Sequence, residues 1–158
     1  MIAKREWHTY AFELRTEGEM NKVNPWAVIV AAVVHWVLAA GWFTVLGPTW
    51  LAGSGISAER AADLKAHPEP GPYVIAILSN LVMALVLAKV ISWVGQWSAP
   101  GGARVGLVLG FGIAFCAMIT AHVFEYKPLS FILISAGYPV VGMTIMGAIL
   151  GAWKPKGV

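Results

Sequence analysis

Four long apolar stretches, separated by short polar segments, set the pattern of this sequence. The first runs from Asn24 to Trp50, and the others cover 72–93, 105–124 and 129–153. Each is close to or above the roughly 20 residues that an α-helix needs to cross the hydrocarbon core of a bilayer. No Asp or Glu lies within any of them. The pattern predicts an all-α membrane protein, a bundle of four transmembrane helices.

The first stretch carries helix boundary signals at both ends. Asn24 is a favourable N-cap, and Pro25 suits the first helical position because the N–H it lacks would have no helical partner. Gly47 and Pro48 are residues that interrupt helices, so the first transmembrane helix is predicted to end after Leu46.

A short helix is predicted in the long connection between the first two spans. Ser57 can cap it over residues 58–66, with Glu59 in the first turn, Lys65 in the last turn and Pro68 preventing continuation. We expect this helix to lie at the membrane interface in the first extracytoplasmic loop.

The other connections are shorter. Residues 96–103 and 125–128 are rich in turn formers and predict two turns. Within the fourth span, Pro139 removes the hydrogen bond to the carbonyl of Ser135 and predicts a kink.

Glycines in the last two spans predict close helix packing. Gly106, Gly110 and Gly112 occur in the third span, and Gly147 and Gly151 are four residues apart in the fourth. Small residues at this spacing let two backbones approach closely within a membrane. We therefore predict Gly147 and Gly151 to be helix-packing positions.

Composition agrees with a bilayer environment. The chain has 158 residues, of which 58% are hydrophobic and 12% are charged, whereas a soluble domain has about 25% charged residues. The net charge of +3 does not indicate nucleic-acid binding, because Lys and Arg occur in the short segments and form no continuous face. Cys116 is the only cysteine, so no intramolecular disulfide can form.

Basic residues predict the orientation. With four spans both termini share one side, and Lys and Arg favour that side by eight to three. Their excess in short loops marks the cytoplasmic side, so both termini are predicted to be cytoplasmic in a plasma or inner membrane protein. The two sets are Lys4, Arg5, Arg15, Lys22, Lys89, Arg104, Lys154 and Lys156 on the terminal side, and Arg60, Lys65 and Lys127 on the other.

The predicted organisation is one membrane domain with two flanking segments. Residues 1–22 form a charged cytoplasmic tail, 23–153 the four-span domain, and 154–158 a cytoplasmic C-terminus. Two hypotheses stay open for the tail. It forms a short helix on the cytoplasmic face, or translation starts naturally at Met20, just before the apolar pattern begins.

A polar cluster is predicted near the middle of the bundle. His35 lies about eleven residues into the first span, and Asn80 enters from the opposite side to a similar depth. Tyr138 and Cys116 fall near the same level. Polar residues at this depth usually face the bundle interior. They either hold the helices together or line a substrate or proton path.

A second polar pair is predicted at the outer end of the third span. His122 and Glu125 are spaced i,i+3 and can form an imidazole–carboxylate contact at the interface. A metal site needs more ligands, and His67 is the only other histidine predicted on that side. No metal site, cofactor or catalytic residue is predicted.

Three stretches resemble a known family. They are HWVLAAGWFTVLGPTW, SAERAADLKAHPEPGPYVIAILSNLVMALVLA and FEYKPLSFILISAGYPVVGMTIMGAILGAW. Together they resemble, over residues 24–153, the bacterial and fungal membrane proteins grouped as domain of unknown function 1761. The resemblance implies a small integral membrane protein with about four spans, and it carries no assigned reaction, ligand or catalytic residue.

Three classes of function are compatible with the sequence. A structural or interaction protein, such as an accessory subunit, is favoured because packing residues are plentiful and reactive groups are scarce. A small oligomeric transporter or channel would have to use His35, since no carboxylate lies within a span. An enzyme lacks a visible nucleophile–base pair. The expected partners are the lipid bilayer and either a second copy or another membrane protein, with no nucleic acid.

Overall fold

The computed structural model describes residues 23–155, which are mainly helical and contain no β-strand. The elements are α1 (Pro25–Ser54), α2 (Ala58–Ala66), α3 (Pro70–Trp93), α4 (Ala99–Phe124) and α5 (Leu129–Ala152). All except α2 are long and apolar enough to cross a membrane, which confirms the predicted four-span architecture. The predicted tail (1–22) and the last three residues of the C-terminal segment lie outside the described residues.

Helix α1 is longer than predicted. Asn24 caps it as expected, because its Oδ1 accepts hydrogen bonds from the backbone N–H groups of Trp26 and Ala27. The helix then continues through Pro48 to Ser54, so the predicted end after Leu46 is wrong. A proline removes one helical hydrogen bond, but ending the helix would leave several backbone groups without partners, which is costly in hydrocarbon.

Helix α2 has the predicted bounds. The Ser57 hydroxyl accepts a hydrogen bond from the backbone N–H of Arg60 at 3.2 Å, which caps the first turn. The Arg60 guanidinium pairs with Asp63 at 2.6 Å and with Glu69 at 2.9 Å. No residue of α2 is buried. Its position at the membrane interface stays a prediction.

Helix α4 begins earlier than predicted and changes its hydrogen-bonding pattern along its length. It starts at Ala99, capped by the Ser98 hydroxyl, so the predicted turn over 96–103 is only partly correct. A π-helical stretch, Gly110–Phe115, then separates two α-helical segments. The sequence pattern does not predict this stretch, because an apolar run indicates a span but not a local change from α- to π-helical hydrogen bonding.

Helix α5 is the centre of the bundle. It contacts α1, α3 and α4, whereas α1 and α4 do not contact each other within the described residues. Pro139 lies inside α5, and the helix continues on both sides of it. Because α5 contacts each of the other three spans, its side chains can contact groups from all of them.

Helices α4 and α5 approach each other closely through glycines. A Cβ atom on Gly102 would collide with the carbonyl of Gly147, and one on Gly147 would collide with the carbonyl of Gly102. Gly151 meets the backbone of Ser98 and Gly102 in the same way. A Cβ atom on Gly112, by contrast, would meet no atom of another helix within 4 Å, so its predicted role in close packing is wrong.

The two ends of the bundle differ in charge and in packing. We call the end where α1 begins the basic end, since its charged residues within 23–155 are Lys89, Arg104 and Lys154. The opposite, mixed-charge end holds all four acidic residues of the described chain, Glu59, Asp63, Glu69 and Glu125. The apolar core lies toward the basic end. It comprises Ala27, Val28, Ala31, Ala32, Ala84, Leu87, Ala88, Ile91, Met146 and Leu150.

Candidate functional site

Three of the predicted polar residues meet at one point in the structure. His35 of α1, Asn80 of α3 and Tyr138 of α5 form a hydrogen-bonded group, which we call the polar cluster. His35 Nδ1 is 3.1 Å from Asn80 Oδ1 and 2.8 Å from the Tyr138 hydroxyl. His35 and Asn80 are buried, with 2% and 8% of their surface exposed. The cluster therefore links three of the four spans.

The donors and acceptors of the cluster fix its hydrogen positions. The Tyr138 hydroxyl also lies 2.9 Å from the backbone carbonyl of His35 and donates its only proton there. With the Asn80 amide oriented so that Oδ1, which can only accept, faces the ring, Nδ1 of His35 is assigned the hydrogen and donates it. In the neutral imidazole this leaves Nε2 as an acceptor.

Nε2 of His35 has no hydrogen-bond partner in the described part of the chain. It faces Gly142 on α5, and a Cβ atom at that position would collide with Nε2 and Cδ2. The backbone of α5 therefore covers the free nitrogen and leaves no space beside it on that side for a ligand. Gly142 was not predicted as a site residue. It could have been identified from its position one helical turn after Tyr138, which places both residues on one face of α5.

Two tryptophan indoles of α1 donate hydrogen bonds to α5 near Pro139, one to a backbone carbonyl and one to a serine hydroxyl. Trp42 Nε1 donates to the carbonyl of Ile134 at 3.1 Å, and Trp50 Nε1 donates to the Ser135 hydroxyl at 3.0 Å. These bonds lie beside the carbonyl that Pro139 leaves without a helical donor. They attach the half of α1 nearer the mixed-charge end to α5, and the bond of Trp50 holds the turn that follows Pro48 against α5.

A series of aromatic contacts connects the polar cluster with the mixed-charge end. Successive ring centroids are 4.9 to 5.8 Å apart along this series. The rings, in order, are His35, Tyr138, Phe43, Trp50, Phe131 and His122. The phenylalanine and tryptophan members give this series no continuous chain of titratable groups, so it is a packing feature.

The predicted outer pair is also present in the structure. His122 Nδ1 is 3.0 Å from Glu125 Oε2, and Glu125 is exposed. Beside this pair, Lys127 Nζ donates to the carbonyl of Ser54 at 2.6 Å and lies 5.3 Å from the centre of the Phe131 ring. Since that carbonyl belongs to the last turn of α1, Lys127 joins the end of α1 to the α4–α5 turn.

The remaining candidate does not belong to either group. Cys116 is exposed on α4, and its thiol lies 3.4 Å from the carbonyl of Phe111. It therefore makes no contact with the polar cluster, and its predicted depth in the membrane stays a prediction. Within residues 23–155, no group of three or more His, Cys, Asp or Glu side chains could hold a metal ion.

Four apolar spans define the chain as a multi-pass α-helical membrane protein. Residues 26–151 match the family described as "Protein of unknown function (DUF1761)", and the chain belongs to that family. The predicted resemblance is thereby confirmed. No curated protein and no solved structure matches the chain.

Proposed function

We propose that this protein is a structural or interaction component of the plasma membrane, such as an accessory subunit, and has no enzymatic activity. In this proposal both termini and the basic end face the cytoplasm, as the distribution of Lys and Arg favours. The polar cluster serves to hold α1, α3 and α5 in one arrangement.

One observation carries this proposal: the hydrogen bonds of the cluster are made between helices, and the ring nitrogen that has no partner is covered by backbone. Nδ1 of His35 donates within the cluster, the Tyr138 hydroxyl donates to the carbonyl of His35, and Asn80 Oδ1 accepts. The remaining nitrogen, Nε2, is covered by the backbone at Gly142. A group that binds a substrate or passes protons needs an open side, and Nε2 has none where it faces Gly142.

The uneven packing of the spans supports an interaction role. In α5, 39% of the most apolar 18-residue window is buried inside the protein, whereas in α4 only 6% is buried. Helix α4 therefore leaves much of its surface, outside its contact with α5, open to lipid or to another membrane protein. A peripheral span of this kind is suited to pairing with a partner while α5 keeps the bundle intact.

A proton-flux assay tests the proposal. The purified protein is reconstituted into liposomes, a pH gradient is applied, and proton flux is compared for the wild type, His35→Ala, His122→Ala and empty liposomes. We expect all four fluxes to be equal, while His35→Ala lowers the thermal unfolding temperature. Wild-type flux above that of empty liposomes would contradict a purely structural role.

A second candidate function is favoured by the partnerless Nε2. A buried ring nitrogen without a hydrogen bond is costly, and such groups in membranes often belong to transport pathways. In this alternative the protein is a small oligomeric transporter or channel in which α1 and α5 separate at Gly142 to admit protons to His35. The same assay then shows flux that is lost in His35→Ala and kept in His122→Ala.

A further inference from the structure

A groove between α3 and α4 opens to the surrounding membrane near the basic end. It has a volume of about 420 Å³. Its apolar wall includes Val90 and Val94 from α3, and Val105 and Val108 from α4, while Arg104 and Gln96 lie along it. We propose that this groove, which lies outside the polar cluster, is a binding site for an anionic phospholipid.

The shape and chemistry of the groove match the two parts of a phospholipid. The four valines give an acyl chain an apolar surface between two spans, where hydrocarbon is the surrounding solvent. Arg104 lies five residues after the start of α4, which is about 7.5 Å along a helix from the interface. A long Arg side chain at this depth extends toward the headgroups. In this proposal the guanidinium, which lies along the groove, contacts the lipid phosphate.

Charge complementarity selects an anionic headgroup. Arg104 is exposed and has no hydrogen-bond or ion-pair partner within residues 23–155. The described residues of the basic end include no Asp or Glu that could neutralise it. The preceding residues 1–22 contain four basic and four acidic side chains, so they add no net charge to this end. Basic pockets between spans on the cytoplasmic side are typical sites for anionic lipid headgroups.

The start of α4 itself is not the site. The backbone N–H of Gly101 is already bound by the Ser98 hydroxyl at 3.1 Å, and a Cβ atom at Gly101 would meet the side chain of Gln96. The proposal therefore depends on the Arg104 side chain and on the valine-lined groove, which are two features that substitutions can remove separately.

Lipid binding to the purified full-length protein in neutral detergent tests the proposal. Native mass spectrometry would compare phosphatidylglycerol with phosphatidylcholine of identical acyl chains, for the wild type and four variants. Arg104→Gln removes the charge, Arg104→Lys keeps it, and Lys154→Gln removes a basic residue at the same end outside the groove. Val108→Trp fills the groove, since Val108 is 66% exposed and its replacement disturbs no core contact.

We expect the wild type to prefer phosphatidylglycerol. Arg104→Gln should reduce this preference about fivefold, the equivalent of about 1 kcal/mol per basic residue. Arg104→Lys and Lys154→Gln should retain most of it, and Val108→Trp should weaken the binding of both lipids.

Four results would overturn the proposal. Equal reductions in Arg104→Gln and Lys154→Gln would indicate a general surface charge, and an unchanged preference in Arg104→Gln would remove Arg104 from the site. If glycerol 3-phosphate binds as tightly as phosphatidylglycerol, the ligand is a soluble anion and the groove has no role. If Val108→Trp instead halves the mass of the detergent-solubilised particle with unchanged lipid binding, the groove seats a second copy of the chain.

Discussion

The imidazole of His35 rests against the backbone of Gly142, in the space that a Cβ atom would occupy. Only glycine at position 142 allows α1 and α5 to approach this closely with a histidine between them. The hydrogen bonds of Nδ1 and the contact at Gly142 therefore act on opposite edges of one ring. Together they set both the rotation of the ring and the distance between the two helices.

Gly142→Ala tests this relationship most directly. The added methyl group would displace the ring or separate the helices, so we expect a loss of about 1–3 kcal/mol in the free energy of unfolding. Gly41→Ala on α1 is the matched control, because nothing lies within 4 Å of a Cβ at that position. Equal thermal unfolding temperatures for the two variants in detergent would show that the contact is not tight.

Coupling between His35 and Asn80 can be measured by a double-mutant cycle. His35→Ala should destabilise the protein, and Asn80→Ala should add little further loss in that background, since their shared hydrogen bond is already gone. The average coupling of such pairs in membranes is about 0.6 kcal/mol. Effects that add to within about 0.3 kcal/mol would mean that the two side chains do not interact.

Because glycines form the contact between α4 and α5, we predict that larger side chains at these positions are not tolerated. Gly147→Leu and Gly106→Leu each place a side chain into the backbone of the facing helix, at Gly102 and Met143 respectively. We expect both to lower the unfolding temperature or to prevent folding. Gly41→Leu faces open space and should be tolerated. A folded, wild-type-like Gly147→Leu protein would show that this helix pair does not need its close approach.

The C-terminal ends of α3 and α4 predict opposite effects of two substitutions. Gly95 follows α3 with φ +66°, and Tyr126 follows α4 with φ +54°. This left-handed conformation costs a residue with a side chain about 1–2 kcal/mol. Gly95→Ala should therefore destabilise the protein by about 1 kcal/mol, and Tyr126→Gly should stabilise it modestly.

Both changes can be measured as shifts in unfolding temperature. Tyr126 is 94% exposed, so few packing contacts are lost with its ring. A marked loss of stability in Tyr126→Gly would reveal that the ring holds this turn in place through the membrane interface.

The orientation can be tested with two exposed alanines at opposite ends. In a Cys116→Ala background, Ala62→Cys on α2 and Ala99→Cys at the start of α4 would be treated with an impermeant maleimide in intact cells. We expect labelling at position 62, and labelling at position 99 only after permeabilisation. The reverse pattern, or equal labelling of both, would rule out cytoplasmic termini.

Local signals in the sequence were sufficient for the spans and for the short helix. The apolar runs, the Asn24 cap and the Ser57 cap each act within a few residues, so they could be recognised without knowing the fold. Counting residues from each interface was also sufficient to bring His35 and Asn80 to one level. That calculation requires only the rise of a helix and the direction of each span.

The features that the sequence did not reveal depend on neighbouring helices. Pro48 looked like a helix end, but the indole of Trp50 anchors the following turns to Ser135. Cys116 is exposed and does not join the cluster, because a predicted depth says nothing about rotation around the helix axis. Gly102 lay in a predicted turn, and only the facing backbone of α5 shows why glycine is needed there.

The central position of α5 has a consequence for synthesis. Of the four spans described, this helix is the last to leave the ribosome, and α1 and α4 have no contact with each other in the described chain. Until α5 is inserted, α4 lacks its main partner, and His35 on α1 lacks both the hydroxyl of Tyr138 and the backbone that covers Nε2. We therefore expect assembly to be post-insertional, and chains truncated before residue 129 to be recognised by membrane quality-control proteases as unassembled.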